Sequence, residues 1–341
     1  MQTFEIIPLD KTNIDHVRGV AELSNTVRDH HLEAWPTTTT ALELANRFIK
    51  SGYSRSHEWL AVVEGDIVGH VSGDLPTEDN THLAECEVIV HPEHRRRGIG
   101  SALLEKLEKE AAAEGRDTFL GWTITSFPEG PRFDESGAAF CEARGYATSN
   151  VEVQRRCDLA AVDEKALDGL LAEAWKHAGD YELVEFGNEI PDDVVEGLAV
   201  LESNMYTDVP LGDTDIREAD ITPERMRAVA RTRTERNSTM LNAIVRHKPS
   251  GEVAGWTQIA VRPGDPQIAY QENTIVHKTH RGHRLGTILK IANQRRLRQV
   301  RPTLQYVDTW NAESNGHMIA INEAVGYRKL ARELEVQKKI S

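Results

Sequence analysis

Two stretches of the chain carry the same order of apolar and polar positions. Trp59–Val63 is a β-prone run, Glu64-Gly65-Asp66 a turn and Ile67–Ser72 a second run, which together predict a hairpin. Leu241–Val245, Pro249-Ser250-Gly251 and Val253–Ile259 repeat that order. A further run, Cys86–Val90, stops at His91-Pro92, because proline donates nothing to a strand ladder. Ile99, Leu103, Leu104 and Leu107 then share one helical face, and Gly115 marks the helix stop. Later, Cys157-Asp158-Leu159 closes a strand and Glu164–His177 reads as a helix. Strands and helices mixed in this order predict an α/β (α+β) layer fold.

The two stretches are copies. Val88–Leu104 (VIVHPEHRRRGIGSALL) aligns without gaps on Thr274–Lys290 (TIVHKTHRGHRLGTILK), sharing Ile-Val-His, then His-Arg, then a glycine. A second landmark follows each copy: Glu142-Ala143-Arg144-Gly145-Tyr146 and Glu323-Ala324-Val325-Gly326-Tyr327. A length of 341 residues suits two such units, expected at 1–160 and 161–341.

Composition narrows the function classes. With 40 Lys and Arg against 54 Asp and Glu, the net charge of -14 opposes the phosphate contacts that dominate nucleic-acid affinity. Between Glu182 and Glu224, thirteen acids face one base, Arg217, which reads as a solvated face or as steering for a cationic amine. Cys86, Cys141 and Cys157 lack the spacing of a zinc site or a disulfide framework, so no metal is expected. The start, MQTFEIIPLDKTNID, has neither the basic end nor the apolar run of a secretory signal. The expectation is a cytoplasmic protein with no membrane and no nucleic-acid partner.

The chemistry concentrates after the Cys86–Val90 strand. Arg95-Arg96-Arg97-Gly98-Ile99-Gly100 joins a strand to a helix N-terminus, where backbone N–H groups and the positive end of the helix dipole converge on one place. That is a site for a phosphate or pyrophosphate, and glycine lets the ligand approach the backbone. The segment resembles the signature of the GNAT superfamily of N-acetyltransferases, in which Gln or Arg, two residues, Gly, one residue and Gly or Ala follow a strand. The resemblance implies two tandem GNAT-like domains, each a mixed, largely antiparallel twisted sheet flanked by helices, whose fourth and fifth strands splay to admit acetyl-CoA. It implies that the backbone of Val88, Ile89 and Val90 pairs with the pantetheine arm, while Arg95, Arg96, Arg97, Gly98, Ile99, Gly100 and Ser101 hold the pyrophosphate. In the second copy the arm maps to Thr274, Ile275 and Val276, and the loop to Arg281, Gly282, His283, Arg284, Leu285, Gly286 and Thr287. Arg284 stands where the first signature glycine belongs, which favours the first half for holding cofactor and the second for shaping the acceptor cleft.

The family also has an Asn that contacts cofactor and, seven residues later, a Tyr that protonates the leaving thiolate. Asn315 takes the Asn place in the second half and Asn322 the Tyr place; in the first half these places hold Asp134 and Cys141. Candidate bases beside the splayed strands are Glu85, Glu87 and Glu272, with Glu85 and Glu87 on one face by alternation. His91 and His277 read as structural. The implied activity is acetyl transfer from acetyl-CoA to a primary amine of a small molecule or peptide, by direct attack in a ternary complex. The alternative is a non-catalytic acyl-CoA-binding sensor or recruitment module, suggested by the missing Tyr.

Overall fold

The computed structural model describes residues 3–31 and 37–340. In chain order the elements are β1 (Glu5–Pro8), α1 (Ile14–His31), α2 (Ala41–Arg47), β2 (Ser54–Val63), β3 (Asp66–Pro76), β4 (Leu83–Val90), α3 (Ile99–Ala113), β5 (Thr118–Thr125), α4 (Ser136–Ala143) and β6 (Ala147–Asp158). They continue as α5 (Glu164–Trp175), β7 (Tyr181–Phe186), α6 (Val195–Asp208), α7 (Pro223–Glu235), β8 (Thr239–His247), β9 (Val253–Val261), β10 (Ile268–Val276), α8 (Leu285–Val300), β11 (Tyr306–Ala312), α9 (Gly316–Ala324) and β12 (Tyr327–Lys339). Two compact units result. One holds Met1–Glu152, Leu211–Arg217 and Ala331–Ser341, the other Val153–Pro210 and Glu218–Leu330.

In the first unit the strand order is β1-β2-β3-β4-β5-β12. The hairpin of β2 and β3 turns at Glu64 and Gly65, both with positive φ (54° and 99°), which suits the right-handed twist of the strands. On one face of the sheet Ile99, Leu103 and Leu107 of α3 pack on Ala61, Val63 and Val71. Gly73 lets α3 come close, since a Cβ there would stand 2.4 Å from Leu107 Cδ1. On the other face Val17, Val20 and Leu44 of α1 and α2 cover Leu60. Burying each such Leu or Val contributes about 1.5–3 kcal/mol.

The last strand of this sheet comes from the chain's C-terminal end. β12 runs antiparallel to β5, from Arg332 opposite Thr125 to Lys339 opposite Thr118. Val336 joins the core of Leu104, Phe119 and Tyr146. Lys338 Nζ pairs with Glu108 at 2.7 Å, and Tyr146 donates to the same carboxylate at 2.8 Å. We propose 1–160 and 161–341 as the duplicated stretches of sequence; the compact units are what remains after each sheet has drawn a strand from beyond its own stretch.

The second unit orders its strands β6-β11-β10-β9-β8-β7. Here β6 contributes Cys157 to a core with Ile291, Leu297 and Tyr327, while Leu285, Ile288 and Leu289 of α8 pack on Ala243, Val245 and Ala254. Several acids of the 182–224 run are tied down within this unit: Asp192 to Arg227 and Asp193 to Arg246, each at 2.6 Å. No helix among the described residues is long and apolar enough to cross a membrane.

Candidate active site

In each unit two neighbouring parallel strands part company. β4 and β5 pair only from Leu83↔Thr118 to Glu85↔Leu120, although β4 continues to Val90 and β5 to Thr125. β10 and β11 pair from Ile268↔Tyr306 to Tyr270↔Asp308 and then separate. β4 stays laddered to β3 as far as Gly69↔Val90, so its other edge is left to offer backbone N–H and C=O groups to a ligand. An extended chain bearing amides, such as a pantetheine arm, satisfies that edge as a strand would.

Where the gap opens, the chain turns into a helix whose N-terminus no side chain caps. Gly98 at φ 89° precedes α3, and Arg284 at φ 56° precedes α8; neither helix has a side-chain cap. The residues two positions earlier are also left-handed, Arg96 at φ 62° and Gly282 at φ 88°. The two loops therefore follow the same backbone path with glycine and arginine exchanged between the two left-handed positions. Arg95 Nε and Arg281 Nε each donate to the carbonyl at the end of their strand, Val90 O and Val276 O, both at 3.2 Å. Arg95 also pairs with Asp134, and Arg281 with Asp208 at 2.6 Å, so these two side chains brace the loops. Arg96, Arg97, His283 and Arg284 are exposed. A Cβ on Gly98 or Gly282 would point into open space, the room a pyrophosphate needs against the amides. The cofactor named by the sequence resemblance thus fits both loops in backbone geometry.

The glycine missing from the second loop leaves a mark on stability. A non-glycine residue in the left-handed region costs roughly 1–2 kcal/mol. Arg284→Gly is expected to raise the melting temperature slightly and leave acetyl-CoA affinity unchanged; weaker binding would show that the Arg284 side chain itself contacts the ligand.

The opposite end of the gap in the first unit is acidic. Glu85 and Glu87 lie exposed on one face of β4, while Cys86, Val88 and Val90 turn into the core. Asp74 on β3 is the cross-strand partner of Glu85 and holds Lys50 at 2.7 Å. Glu85 keeps an exposed face while the protein around it crowds its carboxyl. That crowding, with Asp74 and Glu335, pushes its carboxyl up to about 7 against the pull of Lys50. Glu152 rises to about 7 through burial and the nearby Glu333 and Glu335. Of this group the sequence singled out only Glu85 and Glu87; Asp74 and Glu335 act on Glu85 from other strands, one of which arrives from the far end of the chain, and Lys50 from the segment before β2. In the second unit Glu272 is turned to Arg262, 3.4 Å away.

Comparison with known proteins agrees with this geometry. The profile of the acetyltransferase (GNAT) family matches residues 20–127. A tandem GNAT protein from the clavulanic acid biosynthesis pathway has a solved structure that superposes with a TM-score of 0.81 and 27% identity, covering 99% of this chain and 98% of that one. Residues 20–127 carry a GNAT acetyltransferase domain, and the chain as a whole has the tandem GNAT fold. A mycothiol acetyltransferase of Salinispora tropica is 26% identical over 297 residues, 85% of this chain and 84% of the relative. One from Stackebrandtia nassauensis is 36% identical, but over only 73 residues, 23% of its own length. A GCN5-related N-acetyltransferase from Sphaerobacter thermophilus, at 13% identity and a TM-score of 0.64, shares the fold. GNAT membership implies use of acetyl-CoA and an amine substrate.

Against the GNAT pattern, the remaining candidates have local duties. Asn315 caps α9, its side chain accepting from Met318 N at 3.2 Å. Asn322, at the place of the family's Tyr, is fully buried and donates to Asn311 Oδ1 at the close of β11. Burial raises the Cys141 thiol, so it stays protonated and gives a proton to an ordinary thiolate only uphill. His91 and His277 help to shape the turns after their strands, through Glu93 N and Thr279 Oγ1. Among the described residues, no three His, Cys, Asp or Glu side chains are placed to hold a metal ion.

Proposed function

We propose that the chain moves the acetyl group of acetyl-CoA to a primary amine of a small molecule or peptide, by direct attack within a ternary complex. What chiefly supports this is the alignment of three features in the first unit: the uncapped helix at Gly98, the free edge of Val88, Ile89 and Val90, and Glu85 at the far end of that edge. Bound there, acetyl-CoA supplies an activated thioester. The Arg96–Ser101 amides fix its pyrophosphate, and the β4 edge lays its arm toward Glu85. Glu85 takes one proton from the incoming ammonium, the amine nitrogen bonds to the acetyl carbon as the carbon–sulfur bond breaks, and the second proton, shed by the acylated nitrogen, reaches the departing thiolate through solvent. A carboxylate near 7 suits this role, being largely ionised at neutral pH and still basic enough to accept. Glu87, on the same face, and Glu272 are the other carboxylates beside the arms, and positioning does much of the remaining work. The mycothiol acetyltransferase relative from Salinispora favours a small-molecule amine as the acceptor.

The loop assignment is tested by Gly98→Asp. A Cβ at φ 89° and a negative charge beside the pyrophosphate are expected to weaken acetyl-CoA binding to the first unit more than about tenfold by calorimetry. A folded variant with unchanged affinity and stoichiometry would show that this loop holds no pyrophosphate.

A further inference from the structure

The second unit has its own carboxylate at the corresponding place, delivered by a helix. The arm of a cofactor whose pyrophosphate sits at Gly282–Thr287 would run back along Val276, Ile275 and Thr274, so its thioester end reaches Asn273 and Glu272. There β10 is irregular: its pairing with β9 passes from Gln271↔Ile259 to Thr274↔Thr257, setting Glu272 and Asn273 against Gln258 alone. Such a bulge bends a strand and re-aims its side chains. Asn273 Nδ2 donates to Glu202 Oε2 of α6 at 2.7 Å. Six residues further on, the same helix holds the loop through Asp208 and Arg281 at 2.6 Å. Six residues of α-helix span about 9 Å, so α6 is fastened at both ends of the track.

The strand itself offers no equivalent of Glu85. The last residue of the β10 ladder with β11 is Tyr270, followed by Gln271, and Glu272 is engaged with Arg262. Glu202 is half-buried; burial raises its carboxyl, while Arg233, Asn273 and Arg225 pull it down and Glu272 pushes it up. Nothing in the sequence marked it, because its link to β10 joins elements far apart in the chain.

We propose that Glu202 is the proton acceptor for the amine at a second acetyl-transfer site, with Asn273 as the residue that positions its carboxylate. The inference rests on the function proposed above. The amine proton passes to Glu202, nitrogen bonds to the acetyl carbon, the carbon–sulfur bond breaks, the thiolate is protonated by solvent, and Glu202 returns its proton to solvent.

The test compares four full-length proteins, wild type, Glu85→Gln, Glu202→Gln and the double variant, by thiol release from acetyl-CoA with glycinamide, glucosamine and 1,4-diaminobutane as probe amines, across the neutral pH range. Glu85→Gln is expected to leave residual turnover, and adding Glu202→Gln to lower that residue about 100-fold, with acetyl-CoA stoichiometry intact and the acidic limb of the pH profile gone. Glu202→Asp should recover part of the rate, and Asn273→Ala should displace the limb. The inference is overturned if Glu85→Gln alone abolishes turnover, if the double variant keeps the rate of Glu85→Gln, or if Glu202→Gln lowers the rate equally at every pH while losing bound acetyl-CoA. If the wild type turns over no amine, the proposed function fails first, and the inference falls with it.

Discussion

Replacing Glu85 with Gln is expected to lower kcat of the first unit by about 10²–10⁴ while leaving its affinity for acetyl-CoA unchanged. The glutamine keeps the shape of the side chain but accepts no proton at neutral pH. The wild-type rate should rise with pH through about 7, because the carboxylate must be ionised to act and crowding beside Asp74 and Glu335 holds it protonated below that point. In Glu85→Gln that rise should vanish from the first unit's share of the rate. Thiol release followed across the neutral range checks both statements. A variant with full activity and the same profile would move the proton acceptor elsewhere, Glu87 being the next carboxylate on that face of β4.

The second large effect concerns stability. Lys290 in α8 is 2% exposed, with Nζ 5.4 Å above the Tyr327 ring, and it occupies the place that Leu104 holds in the first repeat. Burial pushes its amine down to about 7, against an upward pull from Cys157. Between about 7 and the ordinary lysine value, the unfolded chain binds a proton that the folded chain does not. Stability therefore rises with pH across that window, and the full penalty is present below it. Every tenfold loss of proton affinity on folding costs about 1.4 kcal/mol, so Lys290→Met should gain up to about 4 kcal/mol at neutral pH, less whatever relaxation already recovers. Denaturant unfolding at several pH values reads the effect. An unchanged midpoint with the same alkaline gain would mean that the amine reaches water or a partner in the folded state.

Legibility in the sequence followed the range of the interaction. The hairpins were readable because a turn needs only adjacent residues, such as Glu64 and Gly65. The loop from Arg95 to Gly100 was readable because strand, glycine and helix N-terminus follow one another directly. At Arg284 the left-handed geometry is a property of the position, and the arginine adopts it where the first repeat has Gly98. Glu85 came from simple alternation, but its neighbours did not. Asp74 meets it across a ladder, and Glu335 lies on a strand whose partner, β5, belongs to the other end of the chain. A lysine such as Lys290 gives no sign of burial on its own. Setting the two repeats side by side, with Leu104 above Lys290, was the one available signal that it points into a core.

Acetyl transfer by this tandem GNAT chain to amines is tested most directly by following wild-type protein and acetyl-CoA with a library of primary amines, reading free thiol and the mass of each amine. Thiol release is expected with at least one amine, matched mole for mole by one added acetyl group on that amine. Saturable acetyl-CoA binding with no thiol release across the library would contradict it and leave the chain as an acyl-CoA-binding sensor.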